Sequence, residues 1–174
     1  MHDAVHAANS ALQALTSLQA SGEIRSGERL VPGVWVDLDT GQGEAETALE
    51  TGGASLLRVK LSPIKAGRWC TLNIDLGNQG AGDMTLLGVA VRSQAARSTT
   101  ARLAVRSFLP GGGHHDSFFA DYLVAFGEES THCDVLWLAR EPALRAPADW
   151  RTLILFLDPE GFDVSFQDIR LFTA

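Results

Sequence analysis

Lysine is nearly missing from this chain: Lys60 and Lys65 are the two lysines among 14 basic residues, the rest being arginines spread without a cluster. With a net charge of -7, the sequence has no basic patch at which a phosphate backbone would release its counterions, and nucleic acid is excluded as a partner. Cysteine is as scarce. Cys70 and Cys133 stand alone in separate apolar runs with no C-x-x-C spacing, which excludes a metal-finger pattern and a disulfide framework and leaves two core thiols. Long hydrophobic runs are absent too. The opening "MHDAVHAANSALQALTSLQASGEIRSGERL" has neither a basic leader nor a continuous apolar stretch, so neither a signal peptide nor a membrane span is read there. A cytoplasmic protein, or a domain cut from a larger one, is therefore expected, with no membrane partner. Internal repeats and low-complexity segments are also missing.

What is present fits one globular domain: 174 residues, 45% of them hydrophobic, enough for a core that needs no staples. Val5, Ala8, Leu12, Leu15 and Leu18 recur at spacings of three and four and predict an amphipathic helix over residues 3 to 20, with Gly22 as its stop. Residues 1–28 are assigned to this helix and a linker, and 29–174 to the main domain. From Leu30 onward the period becomes two. In "SLLRVKL", Leu57, Val59 and Leu61 face one way and Arg58 and Lys60 the other; in "WCTLNIDL", Cys70, Leu72, Ile74 and Leu76 oppose Trp69, Thr71, Asn73 and Asp75. Further short strands are predicted in "GVWVDL", "GEAETALE", "TLLGVAVRS", "ARLAVRSFL", "DYLVAF", "CDVLWLA", "RTLILFL" and "FDVSFQDIRLF". Many short strands separated by Gly, Asp and Pro turns, with almost no helical period after residue 30, predict an all-β sandwich rather than a parallel α/β sheet.

Two segments carry a further likeness. "GEAETALETGGASLLRVKLSPIKAGRWCTLNIDL" and the closing "DWRTLILFLDPEGFDVSFQDIRLF" resemble, in strand rhythm, the galactose-binding-like jelly rolls that serve as carbohydrate-binding modules. The likeness spans about residues 35 to 174. It implies a jelly-roll β-sandwich acting as a non-catalytic carbohydrate-binding or accessory module, with a glycan or glycoconjugate as its partner and no cofactor. It also implies a structural calcium near the meeting of the first and last strands, for which Asp168, matching the family's "Di" aspartate, and Glu46 are the acidic residues named here; hard oxygen ligands suit that ion.

The stretch "FLPGGGHHDSFFADYLVAF" is the richest in functional side chains. It is no phosphate loop, since it lacks both the GxxxxGK[ST] pattern and a helical continuation. In the resembled family a few polar groups beside an aromatic platform hold a sugar, the ring covering pyranose C–H groups while Asp, Arg and His bond the hydroxyls. His114, His115, Asp116, Phe119, Asp121 and Tyr122 supply that mixture, and Arg106 and Trp69, both turned away from their strands' apolar stripes, join them as candidate ligand contacts. Two rival readings stand beside this one. The leucine-striped helix would serve a protein-interaction or assembly domain, pairing two copies or joining a neighbouring domain. His114, Asp116 and His132 would form the two-histidine, one-carboxylate set of a metal-dependent enzyme, although only a short spacing separates Asp116 from His132. No E-x-D-x-x-E run, G-x-S-x-G elbow or Cys–His motif supports catalysis of another kind.

Overall fold

The computed structural model describes residues 1–53 and 55–174. One helix, α1 (His2–Ser17), precedes the strands β1 (Ser21–Glu23), β2 (Arg29–Val31), β3 (Val34–Leu38), β4 (Glu44–Gly52), β5 (Ser55–Lys65) and β6 (Cys70–Gly77). There follow β7 (Leu86–Ala95), β8 (Thr99–Phe108), β9 (His114–Ala125), β10 (Ser130–Trp137), a short helical turn α2 (Pro142–Arg145), β11 (Trp150–Leu157) and β12 (Phe162–Thr173). They build two antiparallel six-stranded sheets: sheet I in the order β1-β4-β5-β12-β7-β10, and sheet II in the order β2-β3-β6-β11-β8-β9. This is the jelly-roll sandwich expected from the period-two segments.

The alternation that predicts the strands also decides which face meets the other sheet. From sheet I, Leu57, Val59, Val89, Val91, Val164 and Phe166 point inward; from sheet II, Val36, Leu72, Ile74, Leu103, Val105, Leu153 and Leu155 meet them, all essentially out of solvent. Each such side chain contributes about 1.5–3 kcal/mol on leaving water, so a one-residue slip in any strand would turn its whole apolar set outward.

α1 is shorter than expected, because Leu18 already takes an extended backbone. Its stripe of Val5, Ala8, Leu12 and Leu15 is buried against its own sandwich, touching β4, β5 and β12 of one sheet and β2 and β6 of the other. Asn9 fixes the docking: its amide donates to the Leu171 carbonyl at 2.8 Å and accepts the Leu171 N–H at 2.9 Å, completing the backbone pairing of β12. The stripe reserved for a second copy or a neighbouring domain is thus consumed within the chain, and the assembly reading loses its surface. Residues assigned to a linker also belong to the sandwich, since β1 pairs with β4 and Ile24 is buried, ahead of the expected boundary at residue 29. Among the described residues no helix is long and apolar enough to cross a membrane.

One buried charge organises an end of the sandwich. Arg151, the first inward residue of β11, is fully out of solvent and has no carboxylate. Its guanidinium donates instead to the carbonyls of Asn78 (3.2 Å), Gln79 (3.1 Å), Ala143 (3.4 Å) and Ala146, so two loops hang on one side chain. Burial pulls its pKa down, and the fork of carbonyls is what keeps the cation tolerable.

Candidate functional site

The outward faces of the two sheets differ in kind. On sheet I many outward residues are charges that pair with one another, Arg58 with Asp163 (2.8 Å) and Glu50 (3.3 Å), Arg170 with Asp168 (2.8 Å), and Arg92 with Glu129 (3.5 Å), while Phe172 of β12 and Trp137 of β10 stand exposed at one end of the face. Such pairs suit a solvated surface.

Sheet II presents aromatic and hydrogen-bonding side chains in register. Strand pairing sets Trp35, Asn73, Ile154, Ala104 and Phe118 in one row across the face, and Asp37, Thr71, Phe156, Arg102 and Tyr122 in the next. On the other side of the first row lie Asp75, Thr152, Arg106 and Asp116, and beyond them Trp150, Phe108 and His114. Adjacent rows are about 7 Å apart and adjacent strands about 4.8 Å, so the face spans roughly 19 Å from Trp35 to Phe118. The middle of the face is a low floor. Thr71, Asn73, Ala104, Thr152 and Ile154 all point away from the core yet are 5% exposed or less. The rim stands above it, with Phe118 37% and Tyr122 56% exposed.

The rim and floor are held in place by specific contacts. The Trp35 indole donates to Asp37 at 2.8 Å while the Arg29 guanidinium lies 4.7 Å over its ring. Arg106 grips Asp116 through two parallel bonds of 2.7 Å, a fork-to-fork pair that fixes both side chains in the floor row. Arg102 lies 3.9 Å over the Phe118 ring and 5.8 Å from that of Tyr122, and Phe118 in turn leans on Phe156 at 6.1 Å. Asn73 donates to the Thr71 hydroxyl at 3.0 Å, whereas the Thr152 hydroxyl, buried in the floor, has no partner among the described residues. A buried polar group without a partner costs about 1–3 kcal/mol, a cost that the hydroxyls of Ser93, Thr99, Ser107 and Ser117 share.

The residues expected at the site are dispersed across more than one place. β9 begins at His114, so the supposed loop is a strand and its side chains alternate. Arg106, Asp116, Tyr122 and His114 lie on the outer face of sheet II. His115 pairs with Ser107, whose side chain points inward, and therefore belongs to the other face of β9. Phe119 is a correction: it is 3% exposed and part of the core, so it cannot contact a ligand. Asp121 sits where the β8–β9 register breaks, its N–H donating to Asp134 of β10 at 2.8 Å, and its position leads away from the rows. Trp69 is exposed at the end of β6, two residues beyond Thr71, in a separate indentation of about 300 Å³ shared with Asp39, Glu44, Lys65 and Pro159. The three glycines ahead of β9 take left-handed backbone, with φ of 89°, 104° and 81° at Gly111, Gly112 and Gly113, which is why the β8–β9 turn needs glycine.

The metal-binding sets do not assemble. His132 lies on β10 of sheet I, apart from His114 and Asp116 on sheet II, and Asp116 is already engaged by Arg106. Asp168 binds Arg170, while Glu46 pairs across β4 with Ser62; six residues of β12 separate Asp168 from the Leu61 level, roughly 20 Å along the strand. Among the described residues no group of three His, Cys, Asp or Glu side chains is placed to share a cation. An indentation of about 1010 Å³ opens between the β1–β2 connection and β4, is lined by Glu23, Arg25, Glu28, Thr40 and Glu46, and has no aromatic side chain in its lining.

Sequence reasoning missed Trp35, Asn73, Thr152, Ile154 and Phe156. The signal was available in the polar-side phase of the strands. An ordinary solvated strand face would carry Lys, Glu and Thr, as β4 of sheet I carries Glu44, Glu46 and Glu50; Trp35, Asn73 and Phe156 stand in the same outward phase as Arg102 and Arg106, and only the pairing order brings the four strands together.

No protein-family model matches the chain, and no curated protein sequence does. Solved structures do match. The CBM22-1 xylan-binding domain of Xyn10C from Paenibacillus barcinonensis aligns over 90% of this chain and 97% of its own length, with a TM-score of 0.55 at 7% identity. The family 11 carbohydrate-binding module of the cellulosomal cellulase Lic26A-Cel5E of Clostridium thermocellum covers 90% and 96%, with a TM-score of 0.54 at 10% identity. The N-terminal cellulose-binding domain of Cellulomonas fimi β-1,4-glucanase C covers 82% and 89%, with a TM-score of 0.54 at 14% identity. The chain shares their fold: a jelly roll of the carbohydrate-binding-module type.

Proposed function

We propose that the protein is a non-catalytic glycan-binding module that lays an extended polysaccharide across the outer face of sheet II. The observation that carries this reading is the pairing, on one face, of ring platforms with hydrogen-bonding groups at strand spacing: Trp35, Phe156 and Tyr122 beside Asn73, Arg102 and Arg106. Aromatic faces cover the C–H side of a sugar ring, and the polar groups select its hydroxyls. An open face of this kind gains only what stacking and a few hydrogen bonds leave after competing with water, so weak binding is expected.

The same geometry argues against glycosidic cleavage on this face. Asp75 and Asp116 share a row but are separated by β11 and β8, about 14 Å by strand spacing, where paired catalytic carboxylates sit about 5–9.5 Å apart. Asp116 is also held by Arg106 as an ion pair.

The structural neighbours described as binding xylan or cellulose set the panel for the test. Affinity electrophoresis in soluble xylan and mixed-linkage glucan, with a cellulose pull-down, should retard the wild type, and Phe156→Ala and Tyr122→Ala should each abolish the retardation. Arg58→Ala on sheet I should leave it unchanged. A protein that migrates freely through the whole panel, or whose retardation survives both aromatic substitutions, would overturn the reading.

A further inference from the structure

Seven arginines lie within strands, and all but two have found acceptors inside the protein. Arg58, Arg92, Arg106 and Arg170 each hold a carboxylate, and Arg151 holds carbonyls. The exceptions are Arg29 and Arg102. Both are exposed, neither has a carboxylate within ion-pair distance or a hydrogen-bonded acceptor among the described residues, and both lie on aromatic rings of the outer face of sheet II. In a chain of net charge -7 the strand arginines without an acceptor are thus both on the outer face of sheet II.

The contrast within β8 is the sharpest. Arg106 and Arg102 point the same way from one strand, two rows apart, about 14 Å. Opposite Arg106, β9 supplies Asp116; opposite Arg102 it supplies Tyr122. One guanidinium is neutralised by the fold; the other rests against aromatic rings, 3.9 Å from the centroid of Phe118 and 5.8 Å from that of Tyr122, on an exposed side chain with no acceptor among the described residues. Contact with the rings restrains the side chain before anything binds, which lowers the ordering cost of a two-bond contact. A planar carboxylate fits that fork as Asp116 fits Arg106, and a neutral hydroxyl does not use its charge.

We infer that the ligand is an acidic polysaccharide, a chain carrying uronate carboxylates, with Arg102 as the specificity-determining contact and Arg29 as a second, weaker one at the far side of the face. This rests on the glycan-binding reading above and narrows its substrate class.

The test compares glucuronate-substituted xylan with the same polymer after chemical reduction of its carboxylates, and with sulfated xylan as a probe of charge alone, by affinity electrophoresis and calorimetry at low and moderate salt. Wild type should bind the carboxylated polymer about tenfold or more tightly than its reduced form, with the preference shrinking as salt rises. Arg102→Ala should erase the preference while keeping the residual affinity for the reduced polymer and an unchanged melting curve; Arg102→Lys should restore it only in part, because a point charge replaces a fork. Phe156→Ala should weaken binding to both polymers. Equal affinity for the carboxylated and reduced polymers, or a preference that survives Arg102→Ala, overturns the acidic-ligand inference and leaves the glycan reading standing. Equal or tighter binding of sulfated xylan overturns the carboxylate in favour of bare charge density. Failure to bind any of the three, together with a silent neutral panel, overturns the glycan reading itself.

Discussion

The two sheets bury the same kind of side chain on their inner faces and show different chemistry on their outer ones. Sheet I sets ion pairs such as Arg58–Asp163 along the middle of its outer face, each satisfied within the chain, and confines its exposed aromatics, Phe172 and Trp137, to one end. Sheet II places Trp35, Phe156, Phe118 and Tyr122 there, keeps its floor of Asn73, Ala104, Thr152 and Ile154 out of solvent, and leaves Arg102 and the Thr152 hydroxyl without protein partners. A surface pair in high dielectric contributes about 0–1 kcal/mol and asks nothing of the environment. An exposed cation on aromatic rings, with no acceptor among the described residues, is a group whose interactions are incomplete. The difference teaches where to look for a ligand when cavity size points elsewhere.

The sharpest way to test this division is on β9, where neighbours face opposite ways. Phe119→Ala should destabilise the fold by about 3–5 kcal/mol, since it empties a core position. Phe118→Ala, one residue earlier and 37% exposed, should cost about 1 kcal/mol or less and act on binding instead. Denaturant melts of the two variants would break the comparison if Phe118 proved the more costly.

Next in size is Arg106→Ala, which leaves Asp116 partly buried and unpaired, with a side chain only 17% exposed. A loss of about 1–3 kcal/mol in stability is expected, together with loss of glycan retardation. Arg106→Ala with Asp116→Ala should recover part of the stability and none of the binding. Recovery of both would show that the pair serves packing alone.

On sheet I, Arg58→Ala should cost about 1 kcal/mol or less and leave binding intact. Its pH dependence has a definite sign. Hydrogen bonds from Arg58 hold the Asp163 carboxyl below its ordinary 3.8. A carboxylate with a depressed folded-state pKa contributes its stability in full above the unfolded value and loses it as pH falls through the folded one. The gap between wild type and Arg58→Ala should therefore be present at pH 7 and close below about pH 3.8. Thermal melts at neutral and acid pH, with and without salt, would show a gap that widens in acid if the pair were not its source.

The smallest perturbation uses the thiols, one for each sheet. Cys70 is buried on the inner face of sheet II, and burial, with the Asp37 charge adding to it, pushes its pKa up to about 12; Cys133 is exposed on β10 of sheet I. A disulfide reagent at pH 8 should label Cys133 promptly and Cys70 only after denaturation. Two fast thiols would mean that sheet II opens in the native state.

The strands themselves were legible because their inward residues repeat every second position, as in Leu57, Val59 and Leu61, and burial enforces the repeat. The helix was legible for the same reason at a period near 3.6, yet whether Leu12 and Leu15 faced a partner or their own sandwich depended on where β5, β6 and β12 lie, which periodicity does not encode. The site was half visible. Arg106, Asp116 and Tyr122 fall within or beside one segment and share the outer face of sheet II; Trp35 on β3, Asn73 on β6 and Phe156 on β11 are far apart in sequence and meet only through pairings such as Trp35 with Asn73. Phe119 was misassigned because composition was weighed across "DSFFADY" without its alternation, and a residue between two outward neighbours of a half-buried strand belongs inside.

Arg151 has a consequence for anyone who would reuse this sandwich as a scaffold. Because one guanidinium holds the carbonyls of Asn78, Gln79, Ala143 and Ala146, the two loops at that end are cross-braced through their backbone atoms. Their sequences can vary while their paths cannot. Lengthening or grafting either loop would strand a buried cation, so new specificities are better written onto the outer face of sheet II or into the open Pro110–Gly113 turn, where an added Cβ at the three glycines meets no neighbour and only the backbone angles would need rebuilding.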